Sequence, residues 1–196
     1  YGCEAAQTPH LNRMASEGLR VTHAYANAPV CAVARSALLT GMHSCTLGTH
    51  QMRSRVQLPD AIPAYPKLLR DAGYYCTNNS KEDYNSNFIR DPALWNESSK
   101  KAHYRNRPPG QPFFAVFNIT VTHESQLDPE RIAQYVENKE IPPSPRIDPD
   151  VIELPPYHPD LPEVREDWAR LHDIITRMDR MVGERLDELE KEGDRK

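Results

Sequence analysis

Apolar side chains recur along this sequence at two spacings, which predict alternating helices and strands. The longest pattern runs Val164, Trp168, Leu171, Ile175, Met178, Val182, Leu186, Leu189, with charged residues between. Steps of three and four predict one amphipathic helix of about seven turns, packed along that stripe. Residues 8–18 carry a shorter version: Thr8 to cap, Pro9 at the first turn, Leu11, Met14 and Ala15 as the stripe, and Gly18 as the stop. Ile62 to Ala72 repeats it with Tyr65, Leu68, Leu69 and Ala72, ended by Gly73. Between them Leu19, Val21, His23 and Tyr25 alternate with polar residues, which suits a strand. Tyr74 to Asn78 predicts a second strand. Pro112 to Ile119 is a continuous apolar run, as in a strand buried on both faces. Asp91 to Pro112 is polar and reads as a surface connection. Leu127 to Pro162 is dense in proline and reads as irregular extended chain. Helix and strand in alternation point to an α/β fold.

Composition excludes more than it selects. The chain has 196 residues, 38% of them hydrophobic, enough to bury a core as one domain. A net charge of -4, without a basic stripe interleaved with aromatics, argues against a nucleic-acid surface. No apolar run is long enough to span a bilayer and no signal peptide is visible, although the sequence opens at Tyr1 without an initiator Met. The cysteines at 3, 31, 45 and 76 form no Cys-x-x-Cys pair, so a structural zinc site is not expected, while two disulfides are arithmetically possible. Asn78, Asn96 and Asn118 stand in glycosylation-type triplets, a pattern that also arises by chance.

Chemistry concentrates after Pro29. In Pro29-Val30-Cys31-Ala32-Val33-Ala34-Arg35-Ser36-Ala37-Leu38-Leu39-Thr40-Gly41 a loop enters a helix that Gly41 ends. Cys31 then lies at the helix N-terminus, where free N–H groups favour negative charge, and Arg35 one turn on shares its face. The following glycine-punctuated loop carries His43, His50 and Arg53. Singly, such residues are as often solvated as functional, but Arg53 suits an anionic ligand. Lys81 and Asp83 follow a strand, at the end where open α/β sheets gather ligands. His123 closes the stretch after the apolar run, and its imidazole suits proton transfer near neutral pH.

The stretch from Cys31 to Gly41 resembles the sulfatase signature Cys-x-Pro/Ala-x-Arg-x-x-x-x-Thr-Gly, with Cys31, Arg35, Thr40 and Gly41 on its fixed positions and Val33 as a departure at the third. Thr8 to Gly18 is similar to the block that precedes the cysteine in that family. Lys81 matches the lysine of its Gly-Lys-x-His motif, with Asp83 where the histidine stands. His123 matches the histidine that follows Pro-Phe-Phe. The strings around His50, Arg53 and Asn79-Ser80-Lys81-Glu82-Asp83-Tyr84-Asn85 resemble the heparan N-sulfatase-like branch.

The resemblance implies an alkaline-phosphatase-like sandwich whose central, mostly parallel sheet is flanked by helices. Residues 1–196 would be the middle of one catalytic domain, inactive alone, with an exposed sheet edge. It implies hydrolysis of a sulfuric ester or sulfamate on sulfated carbohydrate, by a formylglycine that a sulfatase-maturing enzyme makes from Cys31. Arg35, Lys81 and His123 would complete the catalytic set, with His50, Arg53 and Asp83 on the substrate. One calcium ion is implied, with residue 31 as formylglycine its only ligand on this chain and two acidic pairs elsewhere as the rest. Periplasmic, secreted or lysosomal placement is the corresponding expectation. A phosphoryl hydrolase of the same superfamily and a non-catalytic binder of sulfated glycans are the competing readings.

Overall fold

A computed structural model describes residues 5–193 of the chain. Its contacts gather into two compact units, His23–Asn118 on one hand and the segments up to Thr22 and from Ile119 onward on the other.

The His23–Asn118 unit is built on a parallel sheet of three strands, β1 (Tyr75–Asn79), β2 (Glu97–Ser98) and β3 (Phe113–Phe117), in the order β2-β1-β3. Helices α2 (Cys31–Thr40), α3 (Ser44–Leu47) and α4 (Tyr65–Asp71) accompany it. A parallel sheet accompanied by helices is the α/β architecture that the alternating pattern predicts. The core joins Leu39 of α2, Ala64 ahead of α4, Cys76 of β1, and Tyr84, Leu94 and Trp95 from the loops. Tyr65 meets Trp95 and Phe114 edge-on, with ring centroids 6.2 and 5.4 Å apart. Helix α2 stops at Gly41, whose φ of 69° lets its N–H turn back to the Ala37 carbonyl. Such a left-handed C-cap strains a residue that has a Cβ.

The other unit contains α1 (Pro9–Glu17), α5 (Pro129–Glu137) and the long α6 (Pro162–Lys191). Val121, Tyr135, Ile141 and Ile174 form its core. The start of α1 is fixed by α6: Asp179, fully buried, accepts the N–H groups of His10 and Leu11 at 3.1 and 2.8 Å. One turn on, a Cβ at Gly183 would lie 2.5 Å from the His10 ring. That glycine is therefore required by close approach.

Several expectations need correction. Residues 19–25 form no strand: Leu19, Val21 and Tyr25 are 90, 62 and 87% exposed. Alternation makes a strand only where one face finds a core, and here none covers it. The stretch from Asp91 to Pro112 is not merely a surface connection, because Leu94, Trp95, Ala102 and Tyr104 are buried and β2 lies within it. Strand β3 is half-buried throughout, as befits the rim of the described sheet. Leu127 to Pro162 contains α5 and a 3₁₀ turn at Pro149–Val151. Pro129 and Pro149 open these elements, where the missing N–H costs nothing. Finally, α6 turns Ala169, Asp173, Ile174, Thr176, Asp179 and Gly183 inward, while Leu171, Ile175 and Val182 of the apolar stripe are only half-buried.

Candidate active site

Cys31 is the first residue of α2, and no side chain caps that helix end. Its free N–H groups and positive dipole end are available to an anion. The Cys31 thiol donates to Asp83 Oδ2 at 3.0 Å. Lys81 Nζ stands 3.7 Å from the same oxygen. Sulfur, carboxylate and ammonium thus meet where the β1 strand gives way to its C-terminal loop, the side of a parallel sheet that collects ligands. Asp83, expected from sequence on the substrate, lies against both Lys81 and residue 31.

Arg35 is committed to the frame around this group. Its Nη2 donates to the Lys81 carbonyl at 2.8 Å and to Asn118 Oδ1 at 2.6 Å. Asn118 Nδ2 donates in turn to Asn78 Oδ1 at 2.8 Å, and Asn78 Nδ2 donates to Ser98 Oγ at 3.1 Å. The chain of carboxamides ties the C-terminal ends of all three strands to α2 and fixes the loop that presents Lys81. Burial pushes the Tyr84 hydroxyl behind it up to about 12, with Trp95 and Arg35 acting the other way. Burial likewise raises Tyr65.

The structure brings Cys31, Lys81 and Asp83 together and ties Arg35 to them through backbone. His50 and Arg53 are exposed on the loop after α3. That loop is held at its root by Asn85, whose Nδ2 donates to the carbonyls of Thr49 and Gln51, each at 2.9 Å. The Asn85 N–H donates to Ser36 Oγ of α2, also at 2.9 Å. His43 pairs with Asn27 at 2.7 Å. His123 belongs to the other unit, where its Nδ1 accepts from the Ser125 N–H and opens a 3₁₀ turn. Sequence reasoning missed Asn78, Asn85 and Asn118 as site residues. Carboxamides at strand ends inside apolar surroundings were the available signal, since buried amides demand partners.

A hard divalent ion wants six or more oxygen ligands. Among the described residues no three of His, Cys, Asp or Glu cluster closely enough to hold a metal. Asp83 is the carboxylate at the thiol, and it already faces an ammonium. The donor set on these residues does not by itself fit calcium. None of the described helices is long and apolar enough to cross a membrane.

A parallel α/β sheet with a cysteine-headed helix and a lysine loop at its strand ends is an arrangement that can grip an anion. The chain belongs to the sulfatase family, whose model matches residues 1–196. It is 35% identical to an ulvan-active sulfatase of Formosa agariphila over 98% of this chain and 38% of that protein. A human N-acetylgalactosamine-6-sulfatase is 34% identical over 38% of this chain and 16% of its own length. A human arylsulfatase D is 44% identical over 38% of this chain and 14% of its own. The chain thus spans about two fifths or less of the length of these relatives.

Proposed function

We propose that the protein hydrolyses sulfuric esters on carbohydrate, with residue 31, converted to formylglycine by a sulfatase-maturing enzyme, at the reacting centre. The observation that carries this reading is the meeting of Cys31, Asp83 and Lys81 at an uncapped helix N-terminus. Family membership and relatives named for ulvan and N-acetylgalactosamine 6-sulfate support the reaction class and the carbohydrate substrate.

A hydrated aldehyde at position 31 supplies one hydroxyl to attack sulfur and a second to expel sulfate afterwards. Asp83 is placed to accept the hydrogen bond of that attacking group, as it does that of the thiol. Lys81 and the free N–H groups of α2 supply positive potential to sulfate oxygens as charge builds on them. Arg35 acts by holding the Lys81 backbone in place. Protonation of the leaving group by His123, substrate contacts from His50 and Arg53, and calcium held largely by ligands beyond the described residues rest on the motifs alone.

The test is mass spectrometry of the peptide spanning residue 31 after co-expression with a maturing enzyme, together with turnover of matched aryl sulfate and aryl phosphate. A loss of 18 mass units from the cysteine residue, roughly what thiol-to-aldehyde conversion requires, and faster sulfate turnover are expected. An unconverted thiol in protein that still turns over sulfate would refute the formylglycine reading. Preference for the phosphate would favour a phosphoryl hydrolase.

A further inference from the structure

Behind Arg35, within the His23–Asn118 unit, lies a pocket of about 100 Å³. Arg35, Tyr65, Asn78, Tyr84 and Trp95 contribute its polar lining, and Leu39 and Val116 are among its apolar walls. We propose that this pocket binds one small monovalent anion of halide size.

Four observations carry the assignment. One buried N–H donor on the lining, Arg35 Nε, lacks an acceptor among the described residues, and the Trp95 indole N–H has only the Tyr84 hydroxyl as its neighbour. Trp95 is 5% exposed, so its indole nitrogen has little recourse to bulk water. Buried donors without partners are uncommon and point to a missing acceptor. Next, among the described residues no carboxylate lines the pocket, and the two acceptors that Arg35 meets, the Lys81 carbonyl and the Asn118 carboxamide, are neutral. A guanidinium in such surroundings favours a counter-anion. The carboxamide of Asn78 is already engaged at both ends and cannot serve as the acceptor. Lastly, burial keeps the Tyr84 hydroxyl protonated to about pH 12, so it stays a donor at working pH.

Size and charge select the ligand. A volume of about 100 Å³ holds a few water molecules or one such ion with little of its hydration shell. One guanidinium offsets one negative charge. A doubly charged oxyanion would bring a second charge against walls that include Leu39 and Val116. The site is independent of what becomes of Cys31, which does not line the pocket.

Iodide titration of the full-length protein carrying Trp168→Phe tests this, with gluconate keeping ionic strength constant and Trp95 as the reporter in this chain. Saturable quenching, weakened at least about tenfold by Arg35→Leu and displaced by chloride, is expected. Leu38→Phe, which crowds the pocket from an exposed position and leaves Arg35 in place, should abolish saturation even if Arg35→Leu fails to fold. Linear quenching matched by neutral acrylamide, or no quenching, would mean that the pocket holds only water. Saturation by sulfate at lower concentration than by halide would overturn the charge assignment.

Discussion

Helices α2 and α6 both turn polar side chains inward, and the two treat them differently. On α6, Asp179 receives two N–H groups of α1 at 3.1 and 2.8 Å. Its charge is absorbed by the architecture. On α2, Cys31 opens the helix without a cap, Arg35 leaves Nε without an acceptor, and the thiol leans on a carboxylate shared with a lysine. A buried polar group that is fully partnered holds a fold together, whereas one left partly open is available for chemistry. The same burial therefore predicts opposite consequences of mutation.

The largest effect is expected at Asp83. Asp83→Ala should lower aryl sulfate turnover by about 10²–10³-fold, with the urea midpoint unchanged, read by steady-state kinetics beside an unfolding titration. A large fall in stability would erase the contrast with α6. Asp179→Ala should do the reverse, costing roughly 2–4 kcal/mol of stability because two helix-start N–H groups lose a buried charged acceptor. Chemical denaturation followed at Trp168, which lies on α6, measures it. Gly183→Ala should cost roughly 1–3 kcal/mol, since its Cβ would overlap the His10 ring. Adding His10→Ala should return most of that loss in a double-mutant cycle.

The smallest effect is one of pH. Burial lifts the Cys76 thiol from 9.0 to about 11, against a weaker pull from Arg70, and lifts Tyr84 from 10.0 to about 12. Both groups ionise first in the unfolded chain, so their stabilising contribution is complete below about pH 9 and fades as pH rises towards 12. Unfolding seen at Trp95 should shift to lower urea over that window, while the signal from Trp168 shifts less. Equal shifts at both indoles would show that the alkaline weakness is not confined to the sheet unit.

Much of this was legible in the sequence, for identifiable reasons. Helix α1 announces itself by stripe, proline start and glycine stop, α2 by its glycine stop and α6 by its stripe, all of them local signals. Cys31, Lys81 and Asp83 were legible because Cys31 opens a helix and the other two stand in the loop just beyond a strand, where side chains converge. The false strand at 19–25 shows the limit: periodicity states which face is apolar and not whether anything covers it. Helix α5 was hidden by a proline-rich neighbourhood that counts against helices except at their first turn. The Asn78–Asn118–Arg35 chain was hidden because it joins residues as much as 83 positions apart, and no local pattern marks such a partnership.

Two of those carboxamides have a consequence for production of the protein. Asn78 and Asn118 each head an Asn-x-Ser/Thr triplet, and Asn78 has no exposed surface. A eukaryotic secretory host decorates such triplets while the polypeptide is still being threaded into the lumen. A sugar tree on either nitrogen would take one of its two N–H donors and wedge apart the strand ends, so the marked molecules should fail quality control. Bacterial expression, or Asn→Gln screening at Asn96 alone, is the route to homogeneous material.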